Sequence, residues 1–142
     1  MQIMKFAKIN TELTVSDQIT IEDLKEIQAQ GYKTIFCNRP DQESEGQLAF
    51  SVIEKEAQNL GIKAIHQPVI GGQISDDDIA QFGSSFKLAQ KPIFAYCRTG
   101  KRCSMLWALS HAKTLPIDEI LSNAYIAGYD LSQIKDRLNS LK

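Results

Sequence analysis

Short apolar runs that alternate with longer amphipathic segments constrain the fold of this chain more than any other feature. The runs "KTIFC", "IKAIHQPV" and "PIFAY" begin at Lys33, Ile62 and Pro92, and helical patterns lie before, between and after them. Alternating strands and helices predict an α/β fold with a central, mostly parallel sheet flanked by helices. Because "IFAY" is apolar throughout, we expect its strand to lie at the centre of the sheet, covered on both faces.

Capping signals delimit the predicted helices. Thr20 precedes "IEDLKEIQAQ", which Gly31 ends, and Ser75 precedes three aspartates that favour the positive end of a helix dipole. The segment "LAFSVIEKEAQNLG" predicts a further helix that ends at Gly61. The N-terminal "FAKINTELTV" predicts a hairpin-like start, and the residues after Leu115 predict two short helices.

Composition narrows the class of protein. The 142 residues contain no repeat or linker, so we expect one domain over residues 1–142. A net charge of -1 gives no general electrostatic basis for binding nucleic acid or a membrane surface. There is no apolar stretch of the roughly 20 residues that a membrane span needs, and "MQIMKFAKIN" does not resemble a secretory leader. Three cysteines without CxxC spacing predict free thiols in the cytoplasm and no structural zinc site.

The segment "IFAYCRTGKRCSML" carries the strongest chemical signal. It places Cys97 at the carboxyl end of the central strand, where open α/β sheets bind ligands. A glycine-containing basic loop leads into the next helix, and its unpaired amides with the helix dipole suit an anion. The positive electrostatic potential of these amides and of the helix dipole also lowers the pKa of a thiol, which would make Cys97 a nucleophilic thiolate. The planar fork of Arg102 could bind two oxygens of a tetrahedral anion.

The candidate catalytic residues are Cys97 and Arg102, and the candidate anion- or substrate-binding residues are Arg98, Thr99, Gly100, Lys101, Cys103, Ser104, Asn38 and Arg39.

Several of these residues have a second interpretation. Cys97 could be an inert buried thiol, but two arginines, a lysine and a glycine directly after it favour a functional role. Arg98 and Lys101 could direct their side chains to solvent while only their amides face the anion. Cys103 is either a thiol that captures oxidised Cys97 or a small hydrophobic residue, and Cys37 has the same alternatives.

Polar residues after the strand "KTIFC" form a second group. If that strand neighbours "IFAY", Asn38 and Arg39 lie at the same sheet edge as Cys97 and could orient the loop or the substrate. A turn ahead of Pro40 is the alternative. His66 lies within a predicted strand and His111 about two turns along the helix from Cys97, so we expect both to be structural.

The chain resembles the phosphatase-like domain of the beta-lactamase hydrolase-like proteins, which are related in fold to dual-specificity protein phosphatases. The resemblance extends over nearly the whole chain and rests on "LTVSDQITIEDLKEIQAQGYKTIFCNRPDQE", "NLGIKAIHQPV", "YCRTGKRCS" and the late "AGYDL". It implies a dual-specificity-phosphatase-like fold in which Cys97 is the nucleophile and Arg102 the anion-binding arginine. We expect the substrate to be a small anion, either a phosphate or a sulfur species, or a phosphoprotein, and the expected thiolate chemistry needs no metal or organic cofactor.

The loop departs from the usual phosphatase pattern in ways that leave three hypotheses open. Tyr96 stands where phosphatases have histidine, and four residues instead of five separate Cys97 from Arg102, which is the spacing of rhodanese-type sulfurtransferases. The loop "IGGQIS" lacks the acid that would protonate a leaving group, and the nearest acids, Asp76, Asp77 and Asp78, are first of all helix-capping charges. The hypotheses are a cysteine-dependent phosphatase, a sulfurtransferase that uses a Cys97 persulfide, and a catalytically weak anion-binding or regulatory domain.

Overall fold

A five-stranded sheet with helices on both faces forms the molecule, and the computed structural model describes residues 6–142. The strands are β1 (Ala7–Lys8), β2 (Leu13–Ser16), β3 (Thr34–Cys37), β4 (Lys63–His66) and β5 (Ile93–Tyr96). The helices are α1 (Ile21–Ala29), α2 (Phe50–Asn59), α3 (Asp76–Leu88), α4 (Lys101–Ser110), α5 (Ile117–Ile126) and α6 (Lys135–Leu141), with a 3-10 turn at Ser132–Ile134.

The order of the strands confirms the predicted parallel sheet with "IFAY" at its centre. The order is β1-β2-β5-β3-β4, and among the strands described between residues 6 and 142 only β1 and β2 pair antiparallel. Both Ser16 of β2 and Cys37 of β3 lie level with Tyr96 of β5. The carboxyl ends of three neighbouring strands therefore meet at one sheet edge, directly beside Cys97.

Two hydrophobic cores cover the two faces of the sheet. Side chains alternate along β5, so that Ala95 and Cys97 join the core built on α3 to α6, whereas Phe94 and Tyr96 join the core built on α1 and α2. Trp107 of α4 is fully buried in the first core. Because β5 is buried on both sides, the position of Cys97 is fixed by packing from above and below.

The bounds of several elements differ from the sequence-based prediction. The strand β4 ends at His66 and not at Val69, because Pro68 has no amide to donate to the sheet and the chain turns into a loop there. The helix α4 begins at Lys101, so Arg102 belongs to its first turn. None of the helices described between residues 6 and 142 combines the length and apolarity needed to span a membrane.

Candidate active site

The loop between β5 and α4 folds as a tight cradle around the sulfur of Cys97. Gly100 caps α4 with a left-handed φ of 91°, a conformation that favours glycine. Ser104, in the first turn of α4, stabilises this conformation of the loop. Its amide and its hydroxyl both donate hydrogen bonds to the carbonyl oxygen of Gly100, at 3.0 and 2.9 Å. The hydroxyl of Ser104 therefore stabilises the loop and does not face an anion.

The Cys97 thiol lies among hydrogen-bond donors. The side chain of Cys103 contributes most to lowering its pKa, burial opposes the ionised form, and the backbone amides of Cys103, Thr99 and Gly100 lower it further. The Gly100 amide lies 3.1 Å from the Cys97 sulfur. Together these groups bring the pKa of Cys97 to about 6, so the thiolate is the main form at neutral pH. Burial raises the pKa of Cys103, which remains a protonated donor.

The ionisation of Cys97 predicts a pH profile for alkylation. Because only the thiolate reacts, the rate of Cys97 modification by iodoacetamide should be half-maximal near pH 6 and should fall about tenfold per unit below that value. Replacing Cys103 by alanine removes the thiol donor and should move the midpoint upward, whereas Cys103→Ser keeps a donor and should move it less. Peptide mass spectrometry at each pH measures this, and an unchanged midpoint in Cys103→Ala would contradict the assignment.

The Arg102 guanidinium is held by a carboxylate from a distant loop. Its Nη1 lies 3.0 Å from Oε2 of Glu43 and its Nη2 lies 3.0 Å from Oε1, which is a bidentate pair. Nη1 also donates to the carbonyl oxygen of Val69 at 2.8 Å. The bond to Arg102 is the main reason that the pKa of Glu43 is lowered. Burial opposes the charge of Arg102, but Glu43 and Cys97 outweigh it and raise the pKa of the guanidinium.

Arg39 and Asn38 lie at the same edge as Cys97, as predicted for a neighbouring strand. Arg39 donates through Nε to Oε1 of Glu43 at 2.9 Å, and its two other nitrogens donate to Gln18 and Ser44. Asn38 donates from Nδ2 to the carbonyl oxygen of Gln67. Both side chains therefore organise the loops around the site, and the guanidinium of Arg39 contacts the carboxylate that holds Arg102.

The remaining loop residues present mainly their backbone to the site. Arg98 and Thr99 are exposed, and the hydroxyl of Thr99 accepts the amide of Lys101 at 3.3 Å. The ammonium group of Lys101 donates to Gln133 at 3.2 Å. Tyr129 donates its hydroxyl to the carbonyl oxygen of Thr99 at 3.0 Å, which fixes the outer wall of the loop, and burial raises the pKa of this phenol to about 12.

Other sequence candidates lie away from this cradle. Cys37 belongs to the core on the opposite face of the sheet from Cys97 and Cys103. His66 stacks on Phe50, and His111 contacts the carbonyl oxygen of Trp107 through Nδ1. Two of the three acids that begin α3 have structural partners: Asp78 forms a capping box with Ser75, and Asp76 pairs with Arg137 at 3.1 Å, whereas Asp77 is exposed.

Two residues with clear positions at the site were not singled out from the sequence. Glu43 sits in a polar loop with Asp41 and Glu45, and nothing local distinguishes it except its spacing of four residues from Arg39. Tyr129 belongs to the "AGYDL" segment that contributed to the family resemblance, but its contact with the loop joins residues 30 positions apart. The sequence contained a signal for Tyr129 without indicating its role.

The architecture is that of the dual-specificity and protein-tyrosine phosphatase-like proteins. The chain superposes on the structure of kinase associated phosphatase with a TM-score of 0.69, covering 97% of this chain and 89% of that one, although only 14% of residues are identical. At this level of sequence identity, the similarity shows only that the two proteins share a fold.

Closer similarity identifies the family. The model of the beta-lactamase hydrolase-like protein, phosphatase-like domain, matches residues 5–114. A beta-lactamase hydrolase-like protein of Agrobacterium fabrum is 36% identical over 109 residues, 77% of this chain and 25% of its own length. A candidate phosphatase from Neisseria meningitidis is 38% identical, with a TM-score of 0.88 over 99% of this chain and 100% of that one. The chain belongs to this phosphatase-like domain family, and it spans about a quarter of the Agrobacterium relative's length.

Proposed function

We propose that the protein is a cysteine-dependent phosphatase that hydrolyses phosphate monoesters through a covalent cysteinyl intermediate. The observation that carries this proposal is the convergence of loop amides on a Cys97 sulfur with a pKa of about 6, beside a buried arginine. Membership of a phosphatase-like family supports it. The related fold of kinase associated phosphatase, which has a catalytic-site cysteine, also supports it.

In the proposed first step, the Cys97 thiolate attacks the phosphorus atom of the ester. A sulfur–phosphorus bond forms, the bond to the ester oxygen breaks, and the leaving oxygen takes a proton from water. Loop amides and Arg102 stabilise the charge on the phosphoryl oxygens. In the second step, water attacks phosphorus, the sulfur–phosphorus bond breaks, and inorganic phosphate leaves together with the regenerated thiolate.

The protonation of the leaving group distinguishes this site from the usual phosphatase arrangement. Residues 67–75, between β4 and α3, contain no carboxylic acid, and of the acids that follow, Asp78 caps α3 and Asp76 pairs with Arg137. Glu43 is bound to two arginines, which keeps its pKa low and makes it a poor proton donor. Substrates whose leaving groups are stable without protonation, such as nitrophenyl phosphates, are therefore the appropriate probes.

One observation favours a second function. The four residues between Cys97 and Arg102 match the spacing of rhodanese-type loops, which cradle a cysteine persulfide. In that alternative, the thiolate attacks the outer sulfur of thiosulfate, sulfite leaves, and cyanide takes the sulfur from the persulfide as thiocyanate. Both functions use the same thiolate and the same anion cradle, so product identity decides between them.

Parallel assays on the purified protein test the proposal. With 4-nitrophenyl phosphate we expect phosphate release and, after rapid acid quenching, a phosphoryl adduct on the peptide that contains Cys97. With thiosulfate and cyanide we expect no thiocyanate above the level formed without protein. Thiocyanate formation without phosphate release would support the sulfurtransferase, and the absence of both products would leave an anion-binding domain.

A further inference from the structure

We propose that Tyr129 is a positioning residue of this site, whose hydroxyl group turns the amide of Gly100 toward the Cys97 sulfur and the anion that binds above it. The inference rests on the proposed function, in which Cys97 is the nucleophile and the loop amides stabilise a phosphoryl group. Tyr129 acts through the loop and does not itself contact the substrate. Its effect passes through a single peptide group.

The peptide group between Thr99 and Gly100 is held at both of its polar ends. Its carbonyl oxygen accepts the hydroxyl of Tyr129 at 3.0 Å, and its amide nitrogen lies 3.1 Å from the Cys97 sulfur. The C=O and N–H bonds of a planar trans peptide group point in opposite directions. A bond that holds the carbonyl on the outer side of the loop therefore holds the amide on the inner side, toward the sulfur.

Contacts with neighbouring groups must set the orientation of this peptide group, because glycine leaves it free. Gly100 has a φ of 91°, but glycine adopts positive and negative φ almost equally well. Rotation of the peptide group by half a turn would bring the carbonyl oxygen of Thr99 to face the Cys97 sulfur. Its partial negative charge would then oppose the thiolate and any bound anion. The bond from Tyr129 forms only in the observed orientation and therefore favours it.

Tyr129 and Ser104 hold consecutive peptide groups of the loop. Ser104 donates twice to the carbonyl oxygen of Gly100, which fixes the peptide group that leads into α4, and Tyr129 fixes the one before it. A second bond joins the loop to the segment after α5, because the ammonium group of Lys101 donates to Gln133 at 3.2 Å. The segment after α5 thus holds the loop at two points.

The ring of Tyr129 is itself fixed in place. Only 6% of the residue is exposed, and it packs in the core built on α3 to α6. Its amide donates to the carbonyl oxygen of Ala124 at 2.8 Å, directly after Gly128, which has a left-handed φ of 106°. The ring and hydroxyl fill the space that a Cβ atom on Gly100 would need. The hydroxyl is therefore presented to the loop by a rigid support, as a preorganised site requires.

The phenol remains a donor over the pH range in which Cys97 ionises. Burial is the main cause that raises the pKa of Tyr129 to about 12. The charges of Cys97, Cys103 and Asp17 act in the same direction. The hydroxyl is therefore protonated at neutral pH, and its hydrogen is available to the carbonyl oxygen of Thr99. A hydrogen bond accepted by a peptide carbonyl also polarises the peptide group, which strengthens its N–H as a donor.

The test substitutes Tyr129→Phe, which removes the hydroxyl and keeps the ring that packs in the core. Once the carbonyl of Thr99 is released, the Gly100 amide turns away from the Cys97 sulfur in part of the molecules. The pH midpoint of Cys97 alkylation by iodoacetamide should therefore rise from about 6 by about half a unit to one unit. Turnover of 4-nitrophenyl phosphate should fall about 10-fold, because a donor to the phosphoryl oxygens is lost.

A second measurement reports the affinity for an anion without turnover. Inorganic phosphate should protect Cys97 from iodoacetamide, and the phosphate concentration that halves the alkylation rate measures its affinity. At a pH well above both midpoints, this concentration should be about 3- to 10-fold higher in Tyr129→Phe than in the wild-type protein.

The matched control is Tyr32→Phe, which removes a hydroxyl that bonds to Thr14 at 2.6 Å. Tyr32 precedes β3 and so lies at the opposite edge of the sheet from Cys97. This variant should lose some thermal stability, but its midpoint, phosphate protection and turnover should equal the wild-type values. A rescue variant carries 4-aminophenylalanine in place of Tyr129, and its amino hydrogen should return the midpoint to near 6. If Tyr129→Phe does not fold, 4-fluorophenylalanine replaces it, since fluorine occupies the place of the hydroxyl and donates no hydrogen.

The outcomes separate this inference from the proposed function. A wild-type midpoint in a folded variant without the hydroxyl would overturn the positioning role, even where Cys97-dependent hydrolysis is observed. A midpoint that rises in Tyr129→Phe and returns with 4-aminophenylalanine would support the role. It would do so also in a protein that hydrolyses no aryl phosphate, where only the phosphatase is contradicted. An equal rise in Tyr32→Phe would overturn the role, because the change would then not arise from the loop.

Discussion

Cys97→Ser should lower the turnover of 4-nitrophenyl phosphate by about 10⁴-fold or more, because a serine hydroxyl cannot ionise under conditions in which the thiolate predominates. The Cys103 thiol and the loop amides that bring the pKa of Cys97 to about 6 act on a thiol, and they cannot bring a hydroxyl into the same range. The substitution exchanges one atom in a buried position, so the melting temperature should change little. Phosphate release measured over hours, together with thermal unfolding, checks both expectations.

Cys37→Ser is the matched control for this loss. It makes the same exchange at the end of the neighbouring strand, but its side chain packs in the core on the other face of the sheet. We expect this variant to keep turnover within about threefold of the wild-type rate, since it alters no group that contacts the Cys97 sulfur. Persistence of wild-type turnover in Cys97→Ser would disprove the nucleophile assignment.

Gly100→Ala should unfold or severely destabilise the loop, at a cost of about 3 kcal/mol or more in the free energy of unfolding. Two effects add at this position. The φ of 91° is unfavourable for any residue with a Cβ, and that Cβ would lie 2.1 Å from the hydroxyl oxygen of Tyr129 and 2.8 Å from its Cζ. The ring must move, and its hydrogen bond to Thr99 is then lost. Urea unfolding and phosphate release measure the two consequences.

Gly31→Ala separates the two effects. Gly31 has a φ of 88°, nearly that of Gly100, but a Cβ there would meet nothing within 4 Å. This variant should therefore show only the conformational cost, about 1 kcal/mol, and should keep full activity. Equal destabilisation of the two variants would mean that the contact between Gly100 and Tyr129 is unimportant. Combining Gly100→Ala with Tyr129→Leu should recover part of the lost stability.

The sequence predicted those features that depend on local patterns. The apolar run ahead of Cys97 identified the central strand, and the sheet order then brought Asn38 and Arg39 to the same edge. The capping signals at Thr20 and Ser75 correctly placed the starts of α1 and α3. These predictions succeeded because helix and strand periods, caps and glycine stops act over a few residues.

The sequence could not predict which acid would meet Arg102. Glu43 and Arg102 are 59 positions apart, and their contact depends on how the loop after β3 crosses the sheet edge. Asp41 stands in the same loop, yet its carboxylate accepts the amide of Phe50 and begins α2. Residue type and spacing did not distinguish the two acids, because their roles follow from long-range packing.

The contacts of Arg102 show how the parts of the site are distributed along the chain. The acidity of the thiol arises within residues 97–103, whereas Arg102 is held by Glu43, which lies 59 positions away. Under the proposed function, the nucleophile and the contacts that hold the anion-binding arginine therefore come from different segments. A substitution in the loop around Glu43 would then change the setting of Arg102 without changing the groups that acidify Cys97.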